Sequence, residues 1–308
     1  MKPSQQSQNQ NLNQDNQWPK CSFFGVFDGH GGISCSDFLR DNLHQFIIKD
    51  SNFPLNPTQA IFNGFKEAEN QFITQAQQNK EGKIDKSGSC AIIVLILGKK
   101  CYIANVGDSR AIMSACGGSK IFELSRDHKP QDEIEEKRII EAGGQIYQTK
   151  IINNNQTQND QSQQIYGPYR VYPGRLSVTR TFGDIEAKLK QYGGNPKVVI
   201  ATPDIKEFEI EEDFDFIMIS SDGIFDRLSS VECIQSIWSQ VYDKSMNNFK
   251  NSHEFCGNGV DLVMKHSLAK QTMDNITTVI IGFDNLKKKL FPNKKKQSSN
   301  QNKPQSLN

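Results

Sequence analysis

The sequence has no hydrophobic run long enough to cross a membrane and no strong charge of either sign. Its longest apolar run, 91–97, is far shorter than the roughly 20 residues that a membrane helix needs. The 308 residues carry a formal net charge of +1, which gives no reason to expect a nucleic-acid partner. The polar start predicts no secretory signal. We therefore expect an intracellular, cytoplasmic globular protein without a transmembrane segment.

Paired cysteines and nucleotide-binding motifs are also missing. The seven cysteines are scattered without a CxxC pair, and Cys21, Cys90 and Cys101 lie in or beside apolar runs. Buried, reduced thiols fit this pattern better than a disulfide framework or a zinc site. The chain also has no P-loop and no dinucleotide fingerprint. Neither zinc nor nucleotide binding therefore has support in the sequence.

Three segments have a composition that is typical of disorder. Residues 1–17 are dominated by Gln and Asn, a second such tract spans 153–164, and residues 285–308 begin with lysine clusters. We expect an ordered domain over 18–284, with the second tract as an insertion inside it. The lysine-rich end is interpreted as a solvated tail, with a nuclear-import or anionic-surface signal as the alternative.

Hydrophobic spacing predicts helices and strands in blocks. The predicted helices cover 33–50, 56–78, 131–142, 231–241 and 260–269. The predicted strands cover 23–27, 90–97, 101–106, 111–115, 121–124, 216–220 and 276–283. Helix pairs beside antiparallel meanders indicate an α+β layered fold and not βαβ repeats.

Three aspartates that are far apart in the sequence accompany apolar strands. Asp28 and Asp222 each follow such a strand and precede a glycine, whereas Asp274 precedes the last strand. A buried strand that brings a carboxylate to its own end is unfavourable unless a cation or a partner waits there. The pattern indicates one oxygen-rich site, which favours magnesium or manganese over zinc. The simpler alternative is that each Asp-Gly pair is a turn.

The residues after Asp28 suggest a reaction at that site. Gly29 could offer its carbonyl as a further ligand, and Asp28 could bridge two ions. Two ions about 4 Å apart can hold a hydroxide and stabilise in-line displacement at phosphorus. His30 could protonate the departing alkoxide, although a solvated loop histidine is the alternative. The residues alone thus predict a metal-dependent hydrolase.

Seven motifs follow one another along the chain: FGVFDGHGG at 24–32, ANVGDSR at 104–110, DHKP at 127–130, EKRI with AGG within 136–144, GRLSVTRTFGD at 174–184, SDGIFD at 221–226 and DNIT at 274–277. In this order they resemble the metal-dependent protein serine/threonine phosphatases of the 2C type. The resemblance implies a four-layer αββα sandwich around two antiparallel sheets. It also implies phosphorylated protein substrates, in which a metal-bound hydroxide attacks phosphoserine or phosphothreonine.

The resemblance implies roles for individual residues as well. The ligands of two central Mg²⁺ or Mn²⁺ ions would be Asp28, the Gly29 carbonyl, Asp222 and Asp274. A weaker third ion would use Asp127 and Asp226 together with Asp222. His30 matches the proposed general acid, which makes it the candidate catalytic residue.

Other motif positions receive structural interpretations. Asp108 and Asp184 are read as turn carboxylates, and Arg180 as a structural partner of a carboxylate, with a substrate role as its alternative. Residues 144–174 fall where the family has its substrate-facing flap. We expect the protein to act as a monomer.

The sequence departs from the family before the first Asp-Gly motif. Family members have two further strands there, which supply a phosphate-binding arginine and an acidic metal ligand. Here no arginine precedes Arg40, and Asp15 is the only acid before Asp28. Loss of such a contact costs about 2–5 kcal/mol. We expect an incomplete version of a longer chain. The alternative is a genuine short form with weak or no activity. For the function, the alternatives are a weakly active or inactive binding module and a hydrolase of small phosphate esters or nucleotides.

Overall fold

The structure is a computed structural model that describes residues 19–77, 84–151, 165–243 and 248–292. The predicted Gln/Asn tracts at 1–17 and 153–164 lie entirely outside these residues. The predictions of disorder there stay predictions, as does the expected lack of two initial strands.

The chain alternates between blocks of strands and pairs of helices. The helices are α1 (Ser34–Lys49), α2 (Pro57–Gln77), α3 (Glu133–Glu141), α4 (Ile185–Lys188), α5 (Asp222–Phe225), α6 (Ser230–Tyr242), α7 (Ser252–Ala269) and α8 (Asp284–Leu290). The strands are β1 (Cys21–Val26), β2 (Gly29–His30), β3 (Gly88–Ser89), β4 (Ala91–Leu97), β5 (Lys100–Val106), β6 (Arg110–Ala115), β7 (Lys120–Glu123), β8 (Gln145–Ile151), β9 (Ile165–Tyr172), β10 (Phe182–Gly183), β11 (Asp204–Glu209), β12 (Phe214–Ser220) and β13 (Thr278–Gly282).

Two four-stranded antiparallel sheets form the centre of the fold. Sheet 1 has the strand order β1-β4-β5-β11, and sheet 2 has the order β13-β12-β6-β7. A small sheet pairs β10, β3 and β2, and β8 pairs with β9 as a separate hairpin. The predicted α+β class with antiparallel sheets is confirmed.

Three clusters of buried side chains show what each sheet packs against. Helices α1 and α2 bury Leu39 and its neighbours against Leu95 on sheet 1. The two sheets bury Ile103 against Ile217 in a second cluster. Helices α6 and α7 cover Phe216 on the other face of sheet 2. Since successive side chains of a strand point to opposite faces, these strands are apolar at almost every position.

The structure differs from the predicted elements where polar residues hide an amphipathic pattern. Helix α7 begins at Ser252, eight residues before the predicted start, where the Asn251 side chain accepts a hydrogen bond from the Glu254 amide at 2.9 Å. Helix α8 lies in the predicted lysine-rich tail, because Leu286 is fully buried beside sheet 2. The first residues of the predicted tail are therefore helical, and the domain boundary at residue 284 stays a prediction.

Within the described part of the chain, no helix combines the length and the apolar character that crossing a membrane would require.

Candidate metal centre and active site

A cavity of about 250 Å³ lies where the strands of both sheets end. Its lining residues are Asp28, Gly29, His30, Cys90, Asp108, Arg170, Leu176, Ser177, Val178, Asp222 and Asp274. The structure thus brings together five of the predicted site residues: His30 and the four that were assigned to the central ions.

The strand topology explains why these aspartates meet. Strands β1 and β5 both run antiparallel to β4, so they run parallel to each other and end at the same edge of sheet 1. Asp28 and Asp108 follow these two ends. In sheet 2, β12 runs antiparallel to β13, which places Asp222 after β12 beside Asp274 before β13. Each sheet therefore delivers two carboxylates to one cavity.

The carboxylates of the cavity outnumber its cations, since the lining has four aspartates and one arginine. Burial raises the pKa of Asp28 to about 6, and the charges of Asp274 and Asp108 add to the rise. Burial and the neighbouring charge of Asp108 raise the pKa of Asp222 to about 8. Burial also raises the pKa of Asp108, against the opposing effect of Lys129. Desolvation and mutual repulsion both disfavour the ionised forms, so a cation would stabilise this group of acids.

The donor set fits a hard divalent cation. The Oδ1 atom of Asp222 is buried and has no hydrogen-bond partner among the described residues. The lining offers the carboxylate oxygens of four aspartates, and carboxylate and carbonyl oxygens are the ligands that Mg²⁺ and Mn²⁺ prefer. Within the described residues, no three acidic, His or Cys side chains converge closely enough to bind one ion as they stand. The number of ions therefore stays a prediction.

The two residues predicted for a weaker third ion lie outside the cavity lining. Asp226 is exposed, and its carboxylate accepts a hydrogen bond from Lys129 at 3.1 Å. Both Asp127 oxygens accept from Arg110, at 2.9 and 2.8 Å, and this guanidinium stacks on Phe225 at 4.8 Å. Asp127 as a ligand stays a prediction, but a bidentate pair competes with that role.

Asp108 was predicted to be a structural turn carboxylate, yet it lines the cavity. Its carboxylate accepts from the Cys90 thiol at 3.4 Å and lies 3.6 Å from the Lys129 ammonium. Its position two residues after β5, the counterpart of Asp28 after β1, is the sequence signal that could have placed it here.

His30 lies at the mouth of the cavity with one ring nitrogen engaged. Its Nε2 is 2.7 Å from Asp184 Oδ2. Burial alone would lower the pKa of His30, but the hydrogen bond and charge of Asp184, with the charges of Asp28 and Asp108, raise it overall. Asp184 was predicted to be a turn carboxylate, and this contact to the candidate catalytic residue was missed.

Arg180 has the structural role predicted for it. Its guanidinium donates to Glu135 at 2.6 and 3.1 Å and to Asp204 at 2.7 Å. Arg138 donates to the other Glu135 oxygen at 2.8 Å, and the buried His128 ring is 3.1 Å from Asp204. Every carboxylate of this cluster is therefore paired.

The hairpin β8–β9 contributes one residue to the lining of the cavity. Arg170 on β9 is the arginine among the lining residues, and its Nη1 donates to the Arg175 carbonyl at 2.6 Å. The turn that follows the hairpin adds Leu176, Ser177 and Val178 to the wall. The hairpin lies where a substrate-facing flap was predicted, but the sequence did not predict Arg170 as a site residue.

Comparisons with known proteins agree with this fold. The model of the protein phosphatase 2C family matches residues 4–276. "Probable protein phosphatase 2C 59" of Arabidopsis thaliana is 31% identical over 261 residues, which cover 84% of this chain and 69% of that protein. "Protein phosphatase 2C homolog 2" of Hypocrea jecorina is 31% identical over 268 residues, which cover 86% of this chain and 54% of that protein.

A solved serine-threonine phosphatase 2C from Toxoplasma gondii superposes with a TM-score of 0.63 at 20% identity, over 85% of each chain. A solved sex-determining protein of C. elegans gives a TM-score of 0.67 at 22% identity, over 88% of this chain and 58% of that one. At these identities the two structures support the fold alone. The class that emerges is the protein serine/threonine phosphatases. Within it, the chain belongs to the protein phosphatase 2C family.

Proposed function

We propose that this protein is a divalent-metal-dependent phosphatase that hydrolyses phosphoserine and phosphothreonine in intracellular proteins. The observation that carries the proposal is the acid cavity, which is the cavity lined by the four aspartates Asp28, Asp108, Asp222 and Asp274. In it, Asp28 and Asp222 have raised pKa values, and Asp222 Oδ1 has no hydrogen-bond partner in the described structure. Carboxylates in this state are unfavourable unless they bind a cation. Membership of the family supports the reaction class.

Four groups would hold two central Mg²⁺ or Mn²⁺ ions: the carboxylates of Asp28, Asp222 and Asp274 and the carbonyl of Gly29. When bound, such ions supply charge stabilisation at the phosphoryl oxygens and an activated water. Asp108 lines the same cavity and would contribute to the negative potential that attracts the ions. We keep a weaker third ion position, with Asp127 and Asp226 beside Asp222, as part of the proposal.

The remaining lining residues would handle the substrate. His30 would give a proton to the departing seryl or threonyl oxygen. Arg170 would donate to the phosphoryl oxygens, because the Arg175 carbonyl fixes its guanidinium and leaves further donors for a ligand. The small cavity would accept the phosphorylated side chain, while the rest of the protein substrate would lie outside, along the hairpin.

Phosphate release from a phosphothreonine peptide tests the proposal. We expect turnover with Mn²⁺ that EDTA abolishes and that Asp222→Asn reduces by about 100-fold or more. Asp261→Asn is the matched control, because Asp261 is an exposed carboxylate on α7, outside the cavity lining. Turnover that survives both EDTA and Asp222→Asn would contradict the metal mechanism.

Two other outcomes would identify the alternatives. Phosphopeptide binding by calorimetry, without turnover under any metal, would indicate a binding module. A substrate panel in which small phosphate esters are far better substrates than phosphopeptides would indicate a small-molecule hydrolase.

A further inference from the structure

The contact between His30 and Asp184 joins two distant parts of the chain at the edge of the cavity. His30 belongs to β2, and Asp184 follows β10 by one residue. The Nε2–Oδ2 distance is 2.7 Å, with 9% of the Asp184 side chain and 35% of the His30 side chain exposed. The carboxylate is thus shielded from water, while the ring reaches the cavity.

We infer that Asp184 is the positioning residue of His30: it holds Nε2 so that Nδ1 is the nitrogen that delivers the proton to the leaving oxygen. The inference rests on the proposed function. It goes further by assigning a role to Asp184 and separate roles to the two ring nitrogens.

The small sheet of β2, β3 and β10 is arranged to keep this contact. His30 pairs with Gly88, and Gly88 pairs with Gly183, the residue before Asp184. The Asp184 amide donates to the Ser87 carbonyl at 3.0 Å. Asp184 itself has a left-handed backbone (φ 49°, ψ 51°), which few non-glycine residues adopt without a local reason. Three strands therefore fix both partners relative to each other.

Gly88 shows that the space is reserved for the contact. A Cβ atom at this position would lie 2.0 Å from Asp184 Oδ2 and 2.5 Å from His30 Nε2. No side chain fits there while the hydrogen bond is present. A glycine is thus required at position 88 because the Asp184 carboxylate and the His30 ring lie so close to its backbone. Its backbone angles do not require a glycine, since its φ is outside the left-handed range.

The contact decides which ring nitrogen is free for chemistry. A carboxylate only accepts, so Nε2 must carry the proton that it shares with Asp184. In the described structure, Nδ1 has no hydrogen-bond partner, and the ring lines the cavity. Asp184 therefore selects the tautomer and orientation of the ring, as a carboxylate does for a histidine in other acid–base pairs.

The proposed hydrolysis forms one bond to phosphorus and breaks another. The oxygen of a water molecule bonds to phosphorus, and its displaced proton goes to solvent. The bond between phosphorus and the seryl oxygen breaks, with the electron pair staying on that oxygen. The oxygen takes the Nδ1 proton of the imidazolium, which yields the serine hydroxyl, inorganic phosphate and a neutral ring. The ring then regains a proton from solvent.

A purely structural role for Asp184 predicts a different result when the leaving group changes. An alkoxide leaves poorly without a proton, whereas p-nitrophenolate is a stable anion that needs none. Damage to the general acid should therefore slow the phosphothreonine peptide and spare p-nitrophenyl phosphate. Damage to the whole cavity should slow both substrates equally.

The decisive experiment compares kcat for both substrates, with Mn²⁺, in wild type, Asp184→Ala and Asp184→Asn. We expect Asp184→Ala to lower kcat for the peptide by about 10- to 100-fold and kcat for p-nitrophenyl phosphate by less than about threefold. Asp184→Asn should fall in between, because its amide oxygen can still accept from Nε2. Glu186→Gln is the matched control, since Glu186 is an exposed carboxylate two residues away that pairs with Lys86.

A second measurement does not depend on turnover or on the folding of a variant. Long-range ¹H–¹⁵N NMR of wild-type histidine rings in alkaline buffer should show the neutral His30 ring protonated at Nε2. Protonation at Nδ1 would overturn the inference. So would equal losses for both substrates, or no loss for either, in a wild-type background that is active.

Failure of the proposed function would look different from these results. A wild-type protein that releases phosphate from neither substrate would contradict the proposed phosphatase and, with it, the catalytic role of Asp184. An active wild type with unselective variants would contradict the role of Asp184 alone.

Discussion

Two groups of acids in this protein have opposite surroundings. Around Glu135 and Asp204, the cations Arg180 and Arg138 and the His128 ring face every carboxylate. Burial alone would raise the pKa of Glu135, but the hydrogen bonds from Arg180, Arg138 and Thr179 lower it to about 2. The carboxylates of this paired cluster are therefore stabilised in their ionised form.

In the acid cavity, four aspartates share the lining with one arginine, Arg170. Asp28, Asp108 and Asp222 face one another across the cavity, and their pKa values are raised. Lys129 lies 3.6 Å from Asp108, but it is shared with the exposed Asp226. The difference shows how to separate structural acids from functional ones: the former have partners within the chain, and the latter await one from outside.

The largest effect should come from breaking the paired cluster. Arg180→Met should lower the free energy of unfolding by about 3–5 kcal/mol, because it leaves the buried Glu135 carboxylate with fewer partners. Urea denaturation measures this change. Arg40→Met is the control, since Arg40 pairs with Asp37 and Asp41 at the surface, where such pairs contribute little. Equal losses in the two variants would contradict the contrast.

Cation removal should affect the acid cavity alone. With Mn²⁺ at about 100 times its dissociation constant, the free energy of unfolding should rise by about 2.7 kcal/mol, and EDTA should reverse the gain. Thermal unfolding measures it directly. Asp222→Asn should lose most of this gain, whereas Asp261→Asn should keep it. A Mn²⁺ effect that is undiminished in Asp222→Asn would place the ion elsewhere.

Without metal, Asp222→Asn should stabilise the fold increasingly as pH rises. The pKa of Asp222 is about 8 in the folded protein, above its ordinary value of 3.8. Ionisation of Asp222 therefore destabilises the wild-type fold. This destabilisation is absent below about pH 4 and grows as the pH rises towards 8. After allowance for solvent screening, the variant's advantage should increase by about 2 kcal/mol over this window. Stability curves of both proteins in EDTA from pH 4 to pH 8 test it. A constant difference would mean that Asp222 does not titrate there.

The smallest effect should come from the wall of the cavity. Arg170→Ala should raise KM for a phosphothreonine peptide about tenfold and leave the free energy of unfolding nearly unchanged, because among the described residues its guanidinium donates only to the Arg175 carbonyl. Arg170→Lys should restore only part of the loss, because an ammonium lacks the bidentate fork. An unchanged KM would remove Arg170 from the substrate site.

The sequence predicted the part of the site that follows from strand ends. Asp28, Asp222 and Asp274 could be grouped because each borders an apolar strand, and the antiparallel order then brings them together. The sequence analysis assigned Asp127 to a third ion and Asp108 to a turn, although both follow strands closely. What separates them is Arg110, whose guanidinium takes both oxygens of Asp127 and leaves Asp108 to the cavity.

The elements that the sequence missed have polar or mixed surfaces. Strand β11 (Asp204–Glu209) lies at the edge of sheet 1 and has charged residues at four of its six positions, so it lacks the apolar run that identifies the inner strands. The contact between His30 and Asp184 spans 154 residues and depends on the space left at Gly88, which no local pattern reveals. Long-range geometry of this kind becomes visible only in the folded chain.

The distribution of the four cavity aspartates over two sheets has a mechanical consequence. Asp28 and Asp108 lie at strand ends of sheet 1, whereas Asp222 and Asp274 lie at strand ends of sheet 2. An ion held by acids of both pairs would therefore link the two sheets. At the opposite strands, the Lys206 ammonium on β11 already ties sheet 1 to the Glu123 carbonyl of sheet 2 at 3.0 Å. Loss of the ion would remove one link between the sheets, while the Lys206 contact and the buried side chains between the sheets would remain. The reaction centre would thus also help to hold the two sheets together.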